Sequence, residues 1–382
     1  MVIFMIYLDA AATTFQKPAS VAQAVTRAMH TMSSPGRGSY PNARAADETL
    51  FRCRELAAEL FGVSSAEQVV FTMNATHALN IAIKTLVKPG SRVAVSGYEH
   101  NAVTRPLHAL GVKVIVADSP LFDQKTALHG FERALDNGVE AVICTHVSNV
   151  FGFVLPIEAI AARCRSAKVP LIIDASQSAG VLPLNFTKLG AAYIAMPGHK
   201  GLYGPQGTGL LLCNREVQPL IEGGTGSESL MQDMPSFLPD RLEAGTHNVP
   251  GIAGLEAGLR FVRDTGIEHI RSHERKLLEL ACKKLQKLCP VRLFYTPDAA
   301  LQTGVLSLTV SARECFEVSE ALAARGIAVR AGLQCAPFAH RTAGTLPDGT
   351  VRVSFSAFNR ASEVETFVRV LQSVLSGALT LR

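Results

Sequence analysis

The chain contains no tryptophan, and aromatic residues make up only 6 % of its 382 positions. Charged residues are also sparse at 18 %, and the formal net charge of +5 is not gathered into basic runs. A surface built for nucleic acid or an anionic membrane has no support in that distribution. Eight cysteines are present without a single Cys-x-x-Cys pair, which removes zinc-ribbon and thioredoxin-type readings. No apolar run reaches the length needed to span a bilayer. The apolar opening Met1 to Leu8 lacks a basic leader and a cleavage site, so an N-terminal strand or arm is expected there rather than a signal peptide. A cytoplasmic enzyme is the expectation, with a large core supplied by 48 % hydrophobic residues.

At this length two domains are expected. Apolar runs at 69–71, 92–95, 112–116, 141–144, 171–173, 193–195 and 209–212 read as buried strands, with helical patterns such as 79–86 and 157–164 between them. Continuous apolar strands alternating with helices predict a mostly parallel sheet covered on both faces, with functional groups at the strands' C-terminal ends. A loop-rich stretch, 222–250, follows. From Gly251 a long helical pattern runs on to Leu288, and strands at 305–310 and 351–355 with helices at 316–324 and 362–375 predict an α+β C-terminal part.

Two residues carry most of the chemistry. Asp174 ends the apolar run Leu171-Ile172-Ile173, and Lys200 follows the next strand in Met196-Pro197-Gly198-His199-Lys200. Pyridoxal phosphate requires this pair: a lysine for the Schiff base and an acid that keeps the pyridinium nitrogen protonated. Asn74-Ala75-Thr76-His77 opens a helix after a strand; taken alone a simple N-cap by Asn74 or Thr76 is the favoured reading, but beside Asp174 and Lys200 the free N–H groups and hydroxyl read as a phosphate cradle. His100 and Asn149 also follow strands, the first placed to lie on a cofactor ring and move protons, the second to donate to the ring oxygen or to the substrate carboxylate. Gln177, three residues after Asp174, is a candidate partner for the ring's phenolic oxygen. The glycines of Gly204-Pro-Gln-Gly-Thr-Gly209 lack the Gly-Lys-Ser/Thr ending of a nucleotide loop and are read as a tight turn packed on the lysine loop.

These motifs together resemble the class V aminotransferase-fold family of pyridoxal-phosphate enzymes, and most closely its cysteine desulfurase and selenocysteine lyase branch. The resemblance runs from Tyr7-Leu-Asp-Ala-Ala-Ala-Thr-Thr14 to about Asn359 and includes Glu243-Ala-Gly-Thr246 and Arg330-Ala-Gly-Leu-Gln-Cys335-Ala-Pro. It implies a fold type I transferase: residues 1–14 an arm joining the small domain, 15–255 a large cofactor-binding domain, and 256–382 a small domain carrying the cysteine loop. It further implies that Lys200 is the Schiff-base lysine, that Asp174 pairs with the pyridinium, and that His100 stacks on the ring beside Gln177. Ala75, Thr76 and His199 would hold the phosphate. Thr246 would reach the neighbouring subunit's cofactor, making a homodimer. Asn149 and Arg352 would take the substrate carboxylate.

Cys335 matches the family's catalytic cysteine, and Arg330 is expected nearby as a group that lowers its pKa or meets substrate. The implied reaction converts L-cysteine or L-selenocysteine to L-alanine, with sulfur passing to Cys335 and then to an acceptor protein. No metal is implied. Three departures stand out: Leu333-Gln334 replaces a pair of histidines, Pro197 stands where a phosphate-binding serine is common, and Ser34-Pro-Gly-Arg37 lacks a histidine before the arginine. The stretch Phe338-Ala-His340-Arg341 is either a basic substitute for those histidines or a solvated loop. Aminotransfer, racemisation and β-lyase chemistry remain open on the same scaffold, as does a non-catalytic role.

Overall fold

The structure, a computed structural model, describes residues 5–36 and 38–376; Arg37 lies outside them. The strands are β1 (Ile6–Tyr7), β2 (Val69–Thr72), β3 (Arg92–Ser96), β4 (Lys113–Ala117), β5 (Ala141–Thr145), β6 (Leu171–Asp174), β7 (Tyr193–Pro197), β8 (Gly209–Cys213), β9 (Val291–Phe294), β10 (Val305–Val310), β11 (Ile327–Ala328), β12 (Arg330–Gly332) and β13 (Thr350–Ser354). Seven of them form a sheet in the order β2-β8-β7-β6-β5-β3-β4. Its central pairs are parallel, whereas β8 runs antiparallel to both β7 and β2. All seven expected strands are therefore present in a mostly parallel α/β sheet.

Alternate residues of each strand enter different cores, as the two-residue period of a strand requires. Val142, Cys144, Leu171, Ile173 and Ile194 pack with Phe61, Phe131 and Ile160 on one face. Ile143, Ile172, Tyr193 and Ala195 pack with Leu79, Ile83 and Leu107 on the other. Burial on both faces explains why these strands are apolar throughout.

A second, antiparallel sheet has the order β12-β13-β10-β9. Leu306, Leu308, Val351 and Val353 pack with Leu278 and Phe367 in a core of their own, which also takes Leu8. The N-terminal segment reaches this part directly, because β1 pairs with β11 and Asp9 bridges to Ser354.

The single long helical pattern from Gly251 is corrected to two helices, Val249–Thr265 and Ile267–Leu285. Gly266, at φ 86°, breaks the run in a conformation that only glycine adopts easily. A boundary at 255/256 falls inside the first of these helices, which packs on Ala19–Thr31 and Pro41–Phe61; we propose Gly266 as the division instead.

Candidate active site

The C-terminal ends of β3, β5, β6 and β7 point the same way, and β2, antiparallel to β8, ends beside them. The residues that follow those ends enclose a cavity of about 220 Å³ lined by Ala75, Thr76, His100, Asn149, Asp174, Gln177, Pro197, His199 and Lys200. Eight of the expected site residues thus meet in one place.

Several side chains at the cavity are held by local bonding. Asn74 caps the helix Ala75–Leu86, its Oδ1 accepting from His77 N at 2.9 Å. Of the two N-cap candidates Asn74 does the capping, which leaves the Thr76 hydroxyl out of it. Thr76 Oγ1 then has no protein partner among the described residues. Asp174, buried at the end of β6, accepts at Oδ1 from Ser176 N at 2.9 Å, and among the described residues Oδ2 has no hydrogen-bond donor.

His100 caps the helix Asn101–Ala109 by accepting from Ala102 N at Nδ1, 3.0 Å. Its proton therefore sits on Nε2. Burial lowers its pKa, opposed in part by Asp174. Gln177 donates from Nε2 to the Ala11 carbonyl at 2.9 Å, which ties the N-terminal segment to the site.

Lys200 lies on the cavity wall with protein around it. Burial brings its ammonium down to about 8 against the pull of Asp174, with Arg352 lowering it further. His199 is held near 4, first by burial and then by the charges of Lys200 and Lys17. Its imidazole is neutral at physiological pH, with Nδ1 3.0 Å from Thr13 Oγ1. Lys200 sits where it does because its loop is folded tightly: Gly198 N donates to Thr208 O and Gly204 N to Gly198 O, each at 2.8 Å. A Cβ on Gly198 would collide with Thr208 Oγ1, so the glycine-rich turn serves the lysine loop as expected.

Four expected residues lie elsewhere. Arg352, 2 % exposed on β13, donates from Nη1 to the Asn149 carbonyl and from Nη2 to Asp9 Oδ1, both at 2.8 Å. Its Nε is buried without a partner among the described residues. Arg330 Nε and Nη2 both reach Asp9 Oδ2, at 2.9 and 2.8 Å. Thr246 lines a separate cleft with Phe71, Met73, His77 and Asn248.

Cys335 is an exposed thiol on a left-handed turn (φ 56°) after β12. The turn is fastened to the site: the Cys335 carbonyl accepts from Asn101 N and the Gln334 carbonyl from Asn149 Nδ2, both at 2.8 Å. Cys289 is a second exposed thiol.

The expectation for Phe338 to Arg341 is corrected. The stretch forms the helix Pro337–Thr342, and His340 is fully buried between Thr345 Oγ1 (2.7 Å) and Gln334 Oε1 (3.0 Å). Burial lowers its pKa to about 4. It is neither a solvated residue nor a free base.

Several residues were not singled out from sequence. Asp9 bridges two arginines, yet the only signal for it was its place in the Tyr7 to Thr14 motif. Glu243 accepts from Arg54 Nη1 and Nη2 and from Phe71 N, fixing the segment that carries Thr246. Glu99 and Glu274 are buried carboxyls pushed up to about 8 by burial. Glu99 accepts from Ser96 and Thr145 N behind Asp174.

Glu274 gives a pH prediction. Its folded pKa of about 8 lies above the ordinary 4.5, so its protonated form stabilises the fold fully below pH 4.5, and that contribution is lost as pH rises through 8. Glu274→Gln is expected to leave the melting temperature unchanged at pH 4.5. At pH 8 it should raise it by about 2–4 °C for each kcal/mol recovered, read by scanning calorimetry at both pH values.

With this geometry in view, the chain belongs to the aminotransferase class-V family, whose sequence pattern matches residues 6–367. It is 33 % identical over 387 aligned positions to a probable cysteine desulfurase of Mycolicibacterium paratuberculosis, covering 98 % of this chain and 56 % of that protein. It is 30 % identical to a probable cysteine desulfurase of Methanothermobacter thermautotrophicus, covering 97 % and 94 %. The chain spans little more than half of the first relative and nearly all of the second. Among solved structures it superposes on the apo cysteine desulfurase of Thermococcus onnurineus NA1 with a TM-score of 0.91 at 30 % identity, covering 98 % of this chain and 95 % of that one.

Proposed function

We propose that the protein is a pyridoxal-phosphate-dependent cysteine desulfurase that converts L-cysteine to L-alanine and takes the sulfur onto Cys335 as a persulfide. The observation that carries this reading over other reactions of the family is the fastening of the Cys335 turn to Asn101 and Asn149, at the edge of the Lys200 cavity. The names of the relatives agree with it.

The cavity residues fit the cofactor. The N-terminus of Ala75–Leu86, with the Thr76 hydroxyl, suits a phosphate dianion, because backbone N–H groups and the helix dipole both favour negative charge there. Asp174 Oδ2 suits a protonated ring nitrogen. When bound, pyridoxal phosphate supplies an electron sink for the pair left at the substrate's Cα.

The protein's own groups do the rest. Lys200, with its pKa drawn down to about 8, holds and moves the Cα proton near neutral pH. The orphaned Nε–H of Arg352 and the amide of Asn149 bind the substrate carboxylate, which gives that buried donor its missing acceptor. His100 presents Nε2–H toward the reacting groups. Cys335, as thiolate, attacks the substrate's sulfur: a sulfur–sulfur bond forms, the sulfur–Cβ bond breaks, and Cβ gains a proton, leaving alanine. Selenocysteine presents the same carboxylate and amine, so lyase activity on it belongs to the same proposal.

Thr246, set in its own cleft, suits a homodimer in which each subunit completes the other's site. An acceptor protein for the sulfur, and a cytoplasmic setting, complete the proposal. No helix among the described residues is long and apolar enough to cross a membrane.

The test is alanine formation from L-cysteine and, separately, from L-selenocysteine. The wild type is expected to form alanine, and Cys335→Ala to lose at least roughly tenfold in L-cysteine turnover while keeping its bound cofactor. Undiminished cysteine turnover by Cys335→Ala would refute the thiol's role. Absence of alanine from both substrates would refute the reading as a whole.

A further inference from the structure

The turn that carries Cys335 places two successive non-glycine residues in the left-handed region, Gln334 at φ 41° and Cys335 at φ 56°. L side chains enter that region rarely, and such a pair persists only where the surroundings hold it. Besides the Asn101 N to Cys335 carbonyl bond, the turn is anchored at Gln334, which occupies one of the positions where the family's pattern has a histidine. The residue is almost wholly buried, at 8 % exposure. Nε2 donates to the Thr350 carbonyl at 3.0 Å and to the Arg330 carbonyl at 3.4 Å. Oε1 faces His340 Nε2 at 3.0 Å, and His340 Nδ1 faces Thr345 Oγ1 at 2.7 Å.

Those contacts fix the imidazole's tautomer, because a neutral His340 that donates from Nε2 must accept at Nδ1. The main-chain carbonyl of Gln334 takes Asn149 Nδ2, and the Asn149 carbonyl takes Arg352 Nη1. A second path leads to the same loop, since Thr350 Oγ1 lies 3.0 Å from Ser307 Oγ, which donates to the Val150 carbonyl at 2.7 Å. A buried network in which the side-chain polar atoms of Gln334, His340 and Thr350 all have partners rigidifies what it connects.

We propose that Gln334 is a positioning residue for sulfur transfer: through His340 and Thr350 it locks the Cys335 turn, and through Asn149 it sets that turn at a fixed distance from the carboxylate-binding groups. This rests on the desulfurase reading and deepens it. In place of paired histidines, the chain uses a buried amide whose partners are all main chain or neutral side chains. Gln334 thus acts on the placement of Cys335, not on its proton.

The experiment uses the cofactor-loaded full chain with Gln334→Met, which preserves length and bulk but removes the hydrogen bonds. Two readouts are taken. The first is iodoacetamide labelling of Cys335 relative to Cys289, an exposed thiol outside the network, followed by peptide mass spectrometry. The second is the kcat and KM for alanine formation from L-cysteine. The Cys335 to Cys289 labelling ratio is expected to rise severalfold. Misplacement of a reacting group by about 1 Å should lower kcat by roughly 10–100-fold, with KM changed less than about twofold.

Gln334→Glu, which keeps an acceptor toward His340, should recover part of the kcat. Thr345→Val, a milder change that removes the hydroxyl shared by His340 Nδ1 and the His340 carbonyl, should show the same pattern at smaller amplitude and serves if Gln334→Met does not fold. A folded Gln334→Met, or failing that a folded Thr345→Val, with unchanged labelling ratio and kcat overturns the proposal. So does a loss of thermal stability alone. If the wild type makes no alanine, the desulfurase reading fails by itself, and the labelling ratio still decides whether Gln334 holds the turn.

Discussion

Replacing Lys200 by alanine is expected to lower turnover of L-cysteine by about 10³–10⁴-fold, the upper range for removal of a positioned acid–base group. Burial has brought the Lys200 amine to about 8, so an appreciable neutral fraction exists near physiological pH. An exposed lysine, ordinarily near 10.5, would be almost fully charged there and useless as nucleophile or base. The sign of the pH dependence follows. Capture of pyridoxal phosphate by the apoprotein should accelerate as pH rises through about 8, because deprotonation frees the amine. Lys200→Ala should lack the visible absorbance of the bound cofactor's Schiff base at every pH. Retention of that absorbance, or of more than a few per cent of turnover, would show that another amine does the work.

The second large effect is on stability. Asp9→Ala should destabilise the fold by about 3–5 kcal/mol, the range for removing one partner of a buried ion pair. Arg352 is 2 % exposed and Asp9 5 %, so the deletion strands a guanidinium without solvent. Arg330, with half of its side chain exposed, adds little, because solvent screens that half of the bridge. Asp9→Asn, which keeps one acceptor oxygen, should lie between wild type and alanine. Urea unfolding of the three proteins measures the series. Equal midpoints for wild type and Asp9→Ala would mean that the bridge contributes nothing to the fold. The KM for L-cysteine should also rise in Asp9→Ala, since the freed Nη2 lets the Arg352 fork turn away from Asn149.

Much of the large sheet was legible because strands buried on both faces must be apolar along their whole length. The runs ending at Thr145 and Asp174 could hardly be anything else. The reversed direction of β8 was not legible, because nothing in Gly209 to Cys213 encodes orientation; the helix-free turn from Gly198 to Thr208 imposes it. Short strands such as β1 and β11 are two residues long, too brief for periodicity to register. The helix break at Gly266 was hidden because the apolar spacing continues on both sides of it.

At the site, residues that follow strand ends could be found by position, as His100, Asp174 and Lys200 were. Asp9 and Gln334 could not, since their roles exist only through partners brought from afar: Asp9 meets Arg352 across 343 positions, and Gln334 meets Asn149 across 185. His340 looked available as a base because sequence shows a basic residue, not the core that encloses it.

The central claim is that Cys335 receives sulfur from the substrate. Its most direct measurement is intact-protein and peptide mass spectrometry of the cofactor-loaded enzyme after brief exposure to L-cysteine, without reductant. One added sulfur on the peptide containing Cys335, absent from the Cys289 peptide and from Lys200→Ala, is the predicted result. Alanine released with no added sulfur on Cys335, or added sulfur that persists in Lys200→Ala, would contradict it.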